Sequence, residues 1–217
     1  MEALDIARAY LPLVHYDRAE TLPLRFIGYA VFTQSGQSPS FRRDVRVPED
    51  AMCVIEYAYF WDYDIQHMYD LEHIWVTARQ DGSVLAAEAS FHGRYLALYP
   101  LPFAPAPRGT RVQAFCQPGK HAFLPRGDLF QLLPGWFECC NENAGGGVLV
   151  GGPFNGAYAS TPEDDARCRQ YIRETFALEP TLDFAPRDYG EALLPWAELA
   201  ARIPVRVRAE MERLKNR

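Results

Sequence analysis

Long apolar runs separated by short polar breaks make up the first two thirds of this chain, a pattern that predicts strands. The strongest run is Met52–Trp61, MCVIEYAYFW, which is apolar on both faces and predicts a central strand. Leu24–Thr33 predicts a second strand. Leu71–Ala78 and Val84–Phe91 flank an Asp81–Gly82 turn and predict a hairpin.

Helical patterns lie at the start and in the last third of the chain. The predicted helices are residues 4–9, Glu163–Ala177, Glu191–Arg202 and Val205–Arg217. Thr161 is placed to cap the second of these, with Pro162 at its first position. The whole pattern predicts one domain, 1–217, of mainly β (α+β) class. Its antiparallel β-sandwich core spans 20–150, and a helical layer, 160–217, packs on it.

The connecting segments are polar or rich in proline and glycine. Gln34–Pro48 predicts a surface loop between two strands, and Pro100–Pro107 predicts an irregular connector, because proline cannot donate to a sheet ladder. Gly145–Gly147 lacks the context of a phosphate-binding loop and predicts a flexible turn. Val148–Val150 predicts a short strand after it.

Composition and charge exclude several classes of function. The chain of 217 residues is 48% hydrophobic and 23% charged, as expected for a folded protein with a core. A net charge of -6 argues against a surface for nucleic acid. The start lacks the pattern of a signal peptide, and no apolar run reaches the length of a membrane span. We therefore expect a cytoplasmic protein, in which the five cysteines stay reduced.

The stretch Trp61–Val76, WDYDIQHMYDLEHIWV, concentrates groups that can bind a metal or carry a proton. They are Asp62, Asp64, His67, Tyr69, Asp70, Glu72 and His73. The stretch contains no lysine or arginine, and apolar segments enclose it on both sides. Carboxylates without a counter-charge are costly beside apolar surface unless a cation neutralises them or they share protons. A bound metal is one explanation, and a solvated acidic turn is the other.

Strand geometry sharpens the metal hypothesis. Alternate side chains of a strand share a face, so Asp70 and Glu72 should point the same way. His67 lies in the turn before them, and Asp62 or Asp64 approaches from the preceding strand. One imidazole with several carboxylates suits Mg²⁺, Ca²⁺ or Mn²⁺, and Zn²⁺ becomes possible if another histidine joins.

The same stretch resembles a known family. The spacing His67-x-x-Asp70-x-Glu72 resembles the heptapeptide GHRHDWE of the necrosis-inducing (NEP-like) cytolysins, and Asp70–Val76 also resembles their vacuolar sorting-associated relatives. The resemblance extends weakly to Leu11–Asp17 and to Pro118–Ala122, which is similar to the family's G-S-H-A turn. It implies a central sandwich with peripheral helices and a cation site at one end. In that family the first histidine, the aspartate and the glutamate of the heptapeptide bind the cation with an upstream aspartate.

Three histidines are candidate general acids or bases. His73 should point to the face opposite Glu72, and His92 should reach the same end of the sheet through the hairpin. His121 lies in a glycine turn with no evident strand or helix role, so it could be a ligand or a base.

Three functions follow from this pattern. The first is a metal-dependent hydrolase or lyase in which His121, His73 or His92 moves the proton. The second, which the resemblance implies, is a non-catalytic, metal-dependent module that binds a sugar or polar head group. The third is a metal that only stabilises the fold. The expected partner is a small-molecule or carbohydrate-like ligand, with no nucleic acid.

Overall fold

The computed structural model describes residues 2–147, 154 and 156–217, whose strands form two larger sheets and one small ladder. The strands are β1 Leu13–Asp17, β2 Leu24–Phe32, β3 Gly36–Gln37, β4 Asp44–Val45, β5 Ala51–Tyr63, β6 Met68–Arg79, β7 Val84–Phe91, β8 Arg94–Tyr99, β9 Gln113–Cys116, β10 Phe123–Leu124, β11 Phe184–Arg187 and β12 Leu193–Pro195. The α-helices are α1 Ala3–Ala9, α2 Pro162–Phe176 and α3 Trp196–Lys215. The predicted class, sheets with mostly C-terminal helices, is confirmed. The predicted strand Val148–Val150 lies outside the described residues.

The larger sheet has the order β12-β2-β5-β6-β7-β8. β5 is buried at almost every position, because it has neighbours on both sides and its two faces are covered, as its continuous apolar run predicts. It pairs antiparallel with β6, and Tyr63 faces Met68 across the turn that joins them. This pairing brings the ends of the two strands, and the acidic stretch between them, to one end of the sheet.

The smaller sheet has the order β10-β9-β1-β11 and packs against the larger one. The rings of Tyr59 and Phe123, one from each sheet, meet edge to face with centroids 5.1 Å apart. Two strand pairs are parallel, β1 with β9 and β12 with β2, which the expected antiparallel sandwich did not include. Since β1, β11 and β12 lie outside 20–150, the sheets draw on more of the chain than the predicted core range.

The loop predicted as a polar excursion, Gln34–Pro48, folds back over the outer face of the larger sheet. Val45 is buried there against Val54 and Trp75, with the ring of Phe41 5.3 Å from that of Trp75. Phe41, Val45 and Val47 are the apolar side chains of the loop that pack on this face and hold it there. It is a surface loop, as predicted, and a few buried side chains anchor it to the sheet near the acidic stretch.

The helices differ from the sequence expectation in one place. Thr161 and Pro162 begin α2 as predicted, with a reciprocal capping box between Thr161 and Asp164. The two predicted runs at the end of the chain are instead one helix, α3, which contains Pro204. Its buried stripe, Leu199, Ile203, Val207, Met211 and Leu214, continues past the proline, and its packing offsets the lost hydrogen bond. No described helix is long and apolar enough to cross a membrane.

Candidate functional site

A pocket of about 710 Å³ opens where the β5–β6 turn, the first half of β6 and the Gln34–Pro48 loop meet. Six of the eight predicted site residues line it, namely Asp64, His67, Asp70, Glu72, His73 and His92. The loop contributes Ser38, Pro39, Ser40, Phe41 and Arg42, and Lys120 joins from a distant turn. The pocket lies within the size range of small-molecule sites.

The β5–β6 turn is organised by the side chain of Asp64. Its Oδ1 accepts hydrogen bonds from the backbone N–H of Gln66, at 2.6 Å, and of His67, at 2.7 Å. A carboxylate that bonds the backbone two and three residues ahead closes a tight turn. His67 is held above the turn, with its Nδ1 3.1 Å from the carbonyl of Tyr69 and its Nε2 3.3 Å from Asp64 Oδ2.

The turn between β9 and β10 supplies the cation that the acidic stretch itself lacks. Lys120 Nζ forms an ion pair with Asp64 Oδ2, and both side chains are largely buried. Burial alone would lower the pKa of Lys120, but the carboxylates of Asp64 and Asp70 raise it above its usual value. The premise that these carboxylates have no counter-charge is therefore true only of the local sequence.

Asp70 is bound by His121. His121 Nδ1 lies 3.1 Å from Asp70 Oδ2, and the imidazole is fully buried, stacked on Trp61 with centroids 4.1 Å apart. Burial alone would raise the pKa of Asp70, but the hydrogen bond from His121 and nearby positive charge hold it below its usual range. His121 does not line the pocket. It positions the carboxylate of Asp70 from the buried side, away from the pocket.

Glu72 accepts a hydrogen bond from the hydroxyl of Ser90 on β7. Burial raises the pKa of Glu72 well above its usual value, and the negative charges of Asp70 and Asp64 raise it further. Glu72 therefore favours a proton or an added cation more than Asp70 does.

His73 lies on the other face of β6, as strand alternation predicts. Its Nε2 is 2.9 Å from the hydroxyl of Ser40, which in turn donates to Glu56, and its ring stacks on Trp75. Burial lowers the pKa of His73 to about 3. A base of that pKa is a weak proton acceptor at neutral pH.

The remaining predicted proton carrier, His92, reaches the pocket as the hairpin geometry predicts. Its Nε2 lies 3.0 Å from Gln117 Oε1, and burial lowers its pKa below the usual value. Because the amide oxygen can only accept, this contact fixes the proton on Nε2.

Asp62 is placed away from the pocket. Its carboxylate is paired with Arg25, at 2.6 Å, and with both Nε and Nη2 of Arg206 on α3, at 2.8 and 2.6 Å. Of the two aspartates that the sequence left open, Asp64 is the one beside His67 and Asp70. Asp62 ties α3 to the sheet.

The fit of a metal ion can be tested on these contacts. Asp64, Asp70, Glu72 and His67 are ligands of the kind that Mg²⁺, Ca²⁺ or Mn²⁺ prefers. Each carboxylate, however, already has a donor of the chain, respectively Lys120, His121 and Ser90. Among residues 2–147, 154 and 156–217, no three such groups converge closely enough to hold an ion. As placed, the residues do not fit a metal site.

The residues that sequence reasoning missed are those that come from far along the chain. Lys120, Ser40 and Ser90 all complete contacts to the acidic stretch, and none carries a local motif. The turn Pro118–Ala122 holds both His121 and Lys120, but its resemblance to the family turn points only to the histidine.

Comparison with known proteins gives a limited result. No protein-family model matches the sequence, and no curated protein matches it. Solved structures titled "NLPPya in complex with glucosamine" and "NLPPya in complex with mannosamine" are similar at 16% and 14% identity, each with a TM-score of 0.37. A third, "Toxin fold as basis for microbial attack and plant defense", has 16% identity and a TM-score of 0.34.

These solved structures are of the NLP (necrosis and ethylene-inducing peptide-like) toxin fold. The first two matches cover 55% of this chain and 64% of the other chain, so this chain spans under two thirds of their length. A likeness of this degree carries no argument about ligand or activity.

Proposed function

We propose that the pocket binds a sugar-sized, polyhydroxylated ligand and prefers one with an amino group. The observation that supports this is the lining itself. Three carboxylates, Asp64, Asp70 and Glu72, stand in one pocket with the cations of Lys120 and Arg42. Such a lining can accept from and donate to the hydroxyl groups of a polyol.

The carboxylates of the lining favour the amino group. Lys120 is paired with Asp64, which leaves Asp70 and Glu72 as acceptors whose charge a ligand's ammonium can neutralise. The aromatic residues Phe41 and Tyr69 line the same pocket, so a ring with one apolar face and a polar edge finds both kinds of partner there. Glucosamine and mannosamine are suitable probes, since they differ in one stereocentre and carry an ammonium at neutral pH.

The test is saturation-transfer NMR with glucosamine, mannosamine, glucose and inositol as separate probes. The proposal expects transfer to all four, strongest for the amino sugars, and loss of it in Asp70→Asn. The matched control is Asp183→Asn, whose carboxylate is exposed and paired only at the surface with Arg18. Transfer that is unchanged in Asp70→Asn, or absent for every probe, would reject the proposal.

Metal-dependent hydrolysis or elimination stays a prediction of the sequence. The environments of the three candidate acid–base histidines favour binding over catalysis. His121 is buried behind Asp70, burial keeps the pKa of His73 near 3, and His92 is bonded to Gln117.

A further inference from the structure

Two turns that are far apart in sequence are fastened together beside the pocket. The backbone N–H of Ile65, in the β5–β6 turn, donates to the carbonyl of Gly119 at 2.7 Å. The N–H of Gly119 donates to Glu20 Oε2, also at 2.7 Å. A Cβ at Gly119 would lie 2.8 Å from that of Ile65, and its φ is +66°, so only glycine suits this contact. The contact fixes the position of Lys120.

We infer that the ammonium of Lys120 is the built-in cation of this carboxylate cluster and takes the role that a divalent ion would otherwise have. It is bonded to Asp64 Oδ2, the same oxygen that His67 Nε2 faces at 3.3 Å. A metal ion shared by Asp64 and His67 would need that oxygen. The lysine and the ion are therefore alternatives at one place.

The environment of Lys120 supports this role. Its side chain is 13% exposed, and that of Asp64 is 1% exposed. Removing one partner of a buried ion pair leaves an uncompensated charge, which is strongly unfavourable. Asp70 and Glu72 are near enough for their charges to act on the same site. Without Lys120, Asp64 would keep only the imidazole of His67 beside it, close to the charges of Asp70 and Glu72.

The orientation of His67 completes the argument. Its Nδ1 lies 3.1 Å from the carbonyl of Tyr69, an oxygen that can only accept. Its Nε2 lies 3.3 Å from a second acceptor, Asp64 Oδ2. Positive charge beside that carboxylate oxygen is therefore favourable. The ammonium of Lys120, bonded to the same oxygen, supplies it.

The experiment uses Mn²⁺ as the probe and calorimetric titration as the readout, after treatment with a chelator. Lys120→Met should bind Mn²⁺ about tenfold or more tightly than the wild type. Removal of the ammonium leaves Asp64 Oδ2 available to the ion and leaves the negative charge of the carboxylates without a cation. Lys120→Arg keeps the charge and should bind no better than the wild type. Equal Mn²⁺ affinity in Lys120→Met and the wild type would overturn the inference.

The wild type alone supplies a second test, should either variant fail to fold. Its melting temperature in Mn²⁺ should stay within about 2 °C of its value in chelator, because an ion stabilises only the state that binds it. A larger rise would show a divalent site with Lys120 in place and overturn the inference. Neither test uses a sugar. A failure of either one would not affect the proposed sugar binding, and a failure to bind sugars would not affect the role inferred for Lys120.

Discussion

The rings of Trp61 and His121 lie flat on each other, with centroids 4.1 Å and planes 3° apart. Trp61 ends the apolar run of β5, and His121 belongs to the turn that also carries Lys120. This contact ties the turn to the sheet and directs His121 Nδ1 towards Asp70. His121, which the sequence offered as an acid or base, thus positions Asp70, and its replacement should also remove packing against Trp61.

His121→Ala should reduce the free energy of unfolding by about 3 kcal/mol, because it removes a fully buried ring and leaves Asp70 without its donor. The sequence places this imidazole in a glycine turn with no evident strand or helix role, so its packing is visible only in the structure. Urea unfolding measures the change. His92→Ala is the control, since His92 is partly exposed and makes one hydrogen bond to Gln117, and should cost about 1 kcal/mol. Equal losses in the two variants would contradict the role of the Trp61 contact.

Asp62 and Asp70 should separate stability from binding. Asp62→Asn breaks the ion pairs with Arg25 and Arg206 and should lower the free energy of unfolding by about 2–4 kcal/mol. It should leave glucosamine binding unchanged, because Asp62 does not line the pocket. Asp70→Asn should weaken binding about tenfold or more. Titration and urea unfolding of both variants check this, and weakened binding in Asp62→Asn would count against the assignment.

His73 should make stability depend on pH. Its folded pKa is depressed to about 3 by burial, so the neutral form is favoured in the folded state. Its contribution is complete above the unfolded pKa of about 6.5 and is lost as the pH falls from there towards 3. At pH 5 the loss is about 2 kcal/mol. His73→Gln keeps a polar side chain and should remove this part of the pH dependence. The explanation would be refuted if the difference in unfolding free energy between the wild type and His73→Gln stayed constant from pH 7 to pH 5.

Arg43 should control the loop wall of the pocket. Its guanidinium lies 4.4 Å from the ring centroid of Trp75 and 4.0 Å from that of Tyr95, with Nη2 bonded to Glu88 at 2.7 Å. A planar cation between two rings is not replaced by an ammonium. Arg43→Lys should therefore speed amide hydrogen exchange in residues 38–42 and weaken ligand binding about threefold to tenfold. Arg46→Lys, an exposed residue of the same loop, is the control and should change neither.

Most of the sheet was predictable from local pattern. The continuous apolar run of β5 predicts its central place, and Val84–Phe91 is the strand predicted from the Asp81–Gly82 hairpin turn. The short strands β1, β11 and β12 were not predicted as strands, because three to five residues carry too little periodicity. Pro204 led to the wrong prediction of two helices where there is one. The sequence shows the lost backbone hydrogen bond but not the packing of α3 that offsets it.

Only the acidic stretch of the site was predictable from the sequence. Asp64, His67, Asp70 and Glu72 lie within nine positions, so one stretch of sequence brings them to one place. Their partners come from elsewhere, and Lys120 is 56 positions from Asp64. Local sequence shows a charge deficit but cannot show which distant residue fills it. Because that partner is not visible in the sequence, a bound metal was one of the two explanations for the acidic stretch.

The most direct test of the account is calorimetric titration of glucosamine into the wild-type protein in the presence of a chelator. The account predicts a single site per chain with a dissociation constant of about 1 mM or tighter, little affected by addition of Mg²⁺. It also predicts that the binding heat is lost in Asp70→Asn and kept in Asp183→Asn. Absence of binding in chelator, or binding that requires a divalent ion, would contradict it.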